Sequence, residues 1–186
     1  YDHAMDAGVV ARLTGARLLG SPSTLNIGRS DGVAESSMAA ITPGLPLILG
    51  SFTVTFIQSQ HAGATGGTPV GDIARPLQSP RHYLDYKLGG AYSILIEHAK
   101  GRLLHHGSAG FIPGALKTYQ ADTVLLGVAL IDDLPEYLRE VVDAVGARRI
   151  VPIHWDAFTR PLDQPLMPTP LIVRLAQQPS QARQQP

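Results

Sequence analysis

The chain opens Tyr1-Asp2-His3-Ala4-Met5-Asp6, a run in which metal-ligand residue types stand at the start of an apolar helical pattern. Met5, Val9, Val10 and Leu13 recur at the spacing of one helix face, which predicts a helix over 4–14 ended by Gly15. Asp2-His3 stands where that helix opens. Asp and His are the oxygen and nitrogen ligands that zinc accepts in catalytic sites. Asp6, one helical turn beyond His3, lies where a carboxylate favours a helix N-terminus and where it can orient a ligand histidine. Taken alone, Asp2-His3 also reads as an ordinary N-cap pair.

Outward from this stretch, 16–20 reads as a short apolar strand, and Ser21-Pro22-Ser23 starts a second helix with Ser21 as its cap. Residues 26–40 are polar and Gly-containing, a loop and short helix over a groove. Residues 45–50 and 52–59 read as two strands joined at Gly50-Ser51. The Gly- and Pro-containing stretch 62–82 has no periodicity, and an irregular segment of that length in a compact domain tends to be functional. Strands over 90–97 and 102–106 form a hairpin around Ala99-Lys100-Gly101. A buried strand over 123–130, an amphipathic helix over 134–145 with Pro135 in its first turn, and a strand over 149–153 follow. Residues 171–176 read as a terminal helix and 177–186 as a polar, disordered tail. The order implies a mixed α/β layered domain over 1–176, without internal repeat.

At 186 residues, 44% of them hydrophobic and 16% charged, the chain has material for one well-packed domain and is not of disordered composition. Lys plus Arg and Asp plus Glu are 15 each, so no bulk field favours nucleic acid or an anionic membrane. The apolar stretches are strand-sized, too short for a membrane span. There is no cysteine, which excludes disulfides and thiolate metal sites and leaves His and carboxylate as metal ligands.

Further candidates fall at strand ends, where α/β proteins gather their sites. His61 follows the strand 52–59, Ser108 follows 102–106, and His154 follows 149–153 in Pro152-Ile153-His154-Trp155-Asp156. Asp156 is placed for a bond to a ligand histidine or for a local turn. On residues alone, His61 also reads as a solvated loop histidine and His154 as a satisfied core histidine beside Trp155. His105 and His106 point to opposite faces of one strand, one inward and one outward. His82 and His98 read as surface residues, and Asp72 as a turn residue or a substrate contact. No nucleophile elbow surrounds Ser108, and the Gly63–Gly71 region lacks the Lys-Ser/Thr of a P-loop.

The run Tyr1-Asp2-His3-Ala4-Met5-Asp6 resembles the second half of HxHxDHxxD, the signature of the metallo-β-lactamase superfamily, and the Gly107-Ser108-Ala109-Gly110 turn and the PIHW segment fall in matching order. The resemblance implies an αββα four-layer sandwich, here beginning inside the metal motif and expected to lack its N-terminal strands. It implies Asp2, His3 and His154 as ligands of a second metal and His61 as a ligand of a first, with Asp2 also accepting a proton from metal-bound water. The cofactor implied is zinc, one or two ions, with other divalent metals open. Ser108 stands where the family usually has a bridging Asp; it, Asp6 and Asp156 are expected around the ligands rather than among them, and one metal or an asymmetric pair follows.

The function implied is a zinc-dependent hydrolase acting through metal-activated water on a small ester, lactone, amide or phosphodiester. The alternative is a non-catalytic binding or scaffold module with a degraded metal site. The expected partner is a small-molecule substrate, without nucleic acid or membrane, and the expected location is the cytoplasm.

Overall fold

The computed structural model describes residues 1, 3–63, 69–79, 81–155, 161 and 163–165. Asp2, Asp156, the expected terminal helix over 171–176 and the tail 177–186 lie outside them. The chain divides into two compact units, Tyr1–Leu45 with Ala64–Ala91, and Pro46–Gly63 with Tyr92–Pro186.

In the first unit, α1 (Ala7–Thr14) begins after a turn over 3–6 that the apolar spacing cannot distinguish from helix. Asp6 is its N-cap residue, but its side chain makes no capping bond. Strand β1 (Leu18–Gly20) leads into α2 (Pro22–Ser30), where Ser21 Oγ accepts the Thr24 N–H at 3.3 Å and Pro22 sits where a missing N–H costs nothing. β2 (Met38–Ala40) pairs in parallel with β1, a strand within the stretch expected to be loop and short helix. Three residues carry too little periodicity to be recognised; the pairing with β1 makes them a strand. Ala11, Leu18, Leu25, Val33 and Met38 form the core between these elements.

From Pro69 on, the described part of the long irregular segment belongs to this unit and is held onto α2 by polar side chains. Asn26 Nδ2 donates to the Ile73 carbonyl at 2.6 Å, and Ser23 Oγ accepts the Ile73 N–H at 2.9 Å while donating to Asp72 Oδ1 at 3.2 Å. Ser30 Oγ accepts the Leu77 N–H at 2.6 Å. Backbone groups without a ladder need such partners when buried. Arg81 adds an ion pair to Asp31 at 2.7 Å.

The second unit is built on a six-stranded sheet of order β3-β4-β5-β6-β7-β8. β3 (Leu47–Leu49) and β4 (Phe52–Ser59) form an antiparallel hairpin turning at Gly50-Ser51, and β5 (Ala91–His98) and β6 (Gly101–His106) form another. β6, β7 (Thr123–Gly127) and β8 (Arg149–Ile153) are parallel, so their C-terminal ends share one sheet edge. β7 ends at Gly127, short of its apolar run, and a turn over 129–130 follows in which Leu130 is left-handed at φ 59°.

Between β7 and β8 runs α3 (Leu134–Val141), capped by Asp133 Oδ1 accepting the Glu136 N–H at 2.9 Å. It ends in a 3₁₀ turn over Asp143–Val145 rather than continuing as one helix. Its inner face, with Leu134, Tyr137 and Val141, is buried, and Tyr137 and Val141 pack against the sheet core of Leu104, Val124 and Leu126. Each fully buried aliphatic side chain here contributes roughly 2 kcal/mol.

Candidate metal centre

Four chain segments meet the same edge of the second unit's sheet. Residues 60–63 leave β4, 107–110 leave β6, 128–130 leave β7, and His154 follows β8. Ala62 N–H donates to Ser108 Oγ at 2.8 Å, and Ser59 Oγ donates to the Gly110 carbonyl at 3.2 Å, so the ends of β4 and β6 are bonded together. A side chain at Gly110 would meet Gln60 O, the His61 carbonyl carbon and Ala62 N at 2.6–2.7 Å, and only glycine permits that approach. Gly127 is confined in the same way by the Gly107 carbonyl, 2.6 Å from where a Cβ would stand. Leu130 reaches the neighbourhood of Gly63.

His61 is half-buried, and its Nδ1 donates to the Ala62 carbonyl at 2.7 Å. A carbonyl only accepts, so Nδ1 carries a proton and Nε2 is the ring nitrogen that can act as a ligand. Metal-ligating histidines are held in this way, the second ring nitrogen on a carbonyl or carboxylate. His154 is half-buried too, and its backbone is left-handed at φ 54°. Among the described residues, His154 and Leu130 are the only non-glycines with positive φ, and both lie at this edge. Such strain persists where surrounding structure over-determines it, and it collects at functional sites.

The two adjacent histidines of β6 divide as the strand alternation requires. His106 is buried with Nδ1 2.7 Å from Ser93 Oγ, and burial pushes its pKa down to about 4 against a smaller opposing effect of the Gly110 backbone. His105 is half-buried, and desolvation lowers its pKa as well. Tyr137 donates from its hydroxyl to the Gly127 carbonyl at 2.8 Å, and burial pushes its phenol pKa up. This buried polar layer under the edge is not recognisable from spacing, because Ser93, His106 and Tyr137 come from three separate elements.

His3 and Asp6 belong to the first unit. Both are exposed, and they line a cavity of about 400 Å³ beside α1 with Tyr1, Met5, Val10 and Arg17. His82 is exposed and caps the 3₁₀ turn Tyr83–Asp85, while His98 accepts the Lys100 N–H at 3.1 Å. Asp72 is held by Ser23. Among the described residues no three His, Asp or Glu side chains converge on one point. The donors at the sheet edge nevertheless fit zinc in kind: imidazole nitrogen, one of them already held in the ligating tautomer, with no thiolate required.

No protein-family model matches the chain, and no curated protein matches it in sequence. Solved structures do match in fold. The metallo-β-lactamase fold protein YhfI from Bacillus subtilis superposes with a TM-score of 0.51 at 16% identity, over 82% of this chain and 59% of that one. The isothiocyanate hydrolase from Delia radicum gut bacteria gives 0.47 at 15% identity, over 78% and 56% of the two chains, too distant to weigh. This chain thus spans well under two thirds of the length of either. Over the portion it spans, the chain has the metallo-β-lactamase fold.

Proposed function

We propose that the protein is a zinc-dependent hydrolase acting on a small ester, lactone, amide or phosphodiester. The observation that carries this reading is the His61 ring at the end of β4, held through Nδ1 on the Ala62 carbonyl as metal-ligating histidines are held. Asp2, His3, His61 and His154 would hold the metal, one ion or an asymmetric pair. When bound, zinc would lower the pKa of a water it holds to about 7 and would polarise the scissile oxygen.

The chain's own residues have separable parts in this reading. His61 and His154 present ring nitrogens from the ends of two strands, and Asp2 accepts the proton released from water. Asp6 and Asp156 orient ligands, and Ser108 supports the edge. The substrate is a small molecule, nucleic acid is not a partner, and the protein works in the cytoplasm; the balanced charge supports the second point. No helix among the described residues is long and apolar enough to cross a membrane.

The test is zinc content after dialysis, followed by chelator-sensitive turnover on a panel of esters, lactones, amides and phosphodiesters. About one zinc per chain, lost with His61→Ala or His154→Ala together with turnover, is expected. Zinc well below one per chain in the parent protein would favour the alternative, a non-catalytic binding module on the same fold. That alternative draws on Ser108, a neutral hydroxyl where a bridging carboxylate would serve two metals.

A further inference from the structure

Ala62 is fixed from three directions. Its side chain is buried in the second unit's core, its N–H is held by Ser108 Oγ at 2.8 Å, and its carbonyl is held by His61 Nδ1 at 2.7 Å. The serine oxygen and the histidine ring therefore grip the two polar ends of one residue. Ser59 Oγ on the Gly110 carbonyl and the close approach of Gly110 to the backbone of 60–62 hold the same two turns together from the other side.

We infer that Ser108 is a positioning residue for His61, acting through Ala62, rather than a residue that itself touches the metal. Its oxygen is engaged by an amide, and a neutral hydroxyl is a poor zinc ligand beside imidazole and carboxylate. Ser108 orients the residue whose carbonyl selects the Nδ1–H tautomer of His61. That tautomer puts the lone pair on Nε2, the nitrogen a cation would take. Without the serine oxygen, the Ala62 amide loses its partner and the carbonyl is free to turn away from the ring. The consequence for zinc rests on the reading given under Proposed function; the consequence for the tautomer does not.

The experiment measures the His61 tautomer by imidazole nitrogen and carbon shifts in the metal-free chain, with zinc titration alongside. The parent should show the Nδ1–H form. Ser108→Ala should populate both tautomers, speed Ala62 amide exchange at least tenfold and weaken zinc binding by about tenfold or more. Ser108→Thr, which keeps the hydroxyl, should restore the parent tautomer. Ser108→Cys, nearly isosteric but a weak acceptor, should fall between them and serves if Ser108→Ala does not fold. Val141→Ala, which loosens the core at α3, should leave the tautomer unchanged. An Nε2–H parent, or an unchanged tautomer in both Ser108→Ala and Ser108→Cys, overturns the inference. Failure of every variant and the parent to bind zinc, with the tautomer response intact, overturns only the zinc reading.

Discussion

Ser93 and His106 face each other from neighbouring strands, Oγ to Nδ1 at 2.7 Å, with 1% and 2% of their surfaces exposed. The histidine is kept neutral by burial, its pKa near 4 against an ordinary 6.5. The unfolded chain takes up this proton near pH 6.5 and the folded chain only near 4. Stability is therefore complete above about 6.5 and falls as the pH drops through that window, by at most about 3 kcal/mol at 1.36 kcal/mol per unit. His105, also lowered, acts in the same direction. Urea denaturation at pH 7 and pH 5 should show the loss in the parent and a smaller one in His106→Gln. Equal losses in both would mean that His106 is not the titrating group.

Tyr137→Phe removes a hydroxyl that donates to the Gly127 carbonyl at 2.8 Å and leaves the ring's packing against His106 and Phe111 in place. The buried carbonyl then lacks its donor, so a loss of about 1–3 kcal/mol is expected. A loss of only a few tenths in urea denaturation would show that Gly127 is satisfied in another way.

Asp31 and Arg81 form an ion pair at 2.7 Å with side chains 5% and 19% exposed, and Arg81 also donates to the Ser30 carbonyl at 2.8 Å. Asp31→Ala strands the guanidinium and should cost about 3 kcal/mol. Asp31→Ala combined with Arg81→Met should recover part of that loss, because no unpaired charge remains. A double variant weaker than the single one would contradict this account.

His154→Gly separates strain from ligation. Removing the side chain relieves the left-handed backbone at φ 54°, so the metal-free protein should gain up to about 1 kcal/mol. The same change deletes a proposed ligand, so zinc content should fall. Thermal unfolding with and without zinc reads both effects. Loss of stability without metal would mean that the ring's own contacts outweigh the strain.

The sequence by itself carried the local structure of this protein. Ser21-Pro22 marks the start of α2 and Asp133 with Pro135 the start of α3, since caps and proline act within one helical turn. The alternating and continuous apolar runs specify β4, β5, β6, β7 and β8, and the position of His61, Ser108 and His154 just after strands is legible in the chain itself. The tertiary structure decided what depends on contact between distant segments. β2 is a strand only because β1 lies beside it, and the irregular segment after residue 68 is ordered only because α2 offers Ser23, Asn26 and Ser30 to its backbone. Ser108 reads from sequence as a missing carboxylate, yet in the fold its oxygen meets an amide 46 positions away. Hydrogen bonds of that separation have no period in the chain, because they are set by which strand ends the sheet brings side by side.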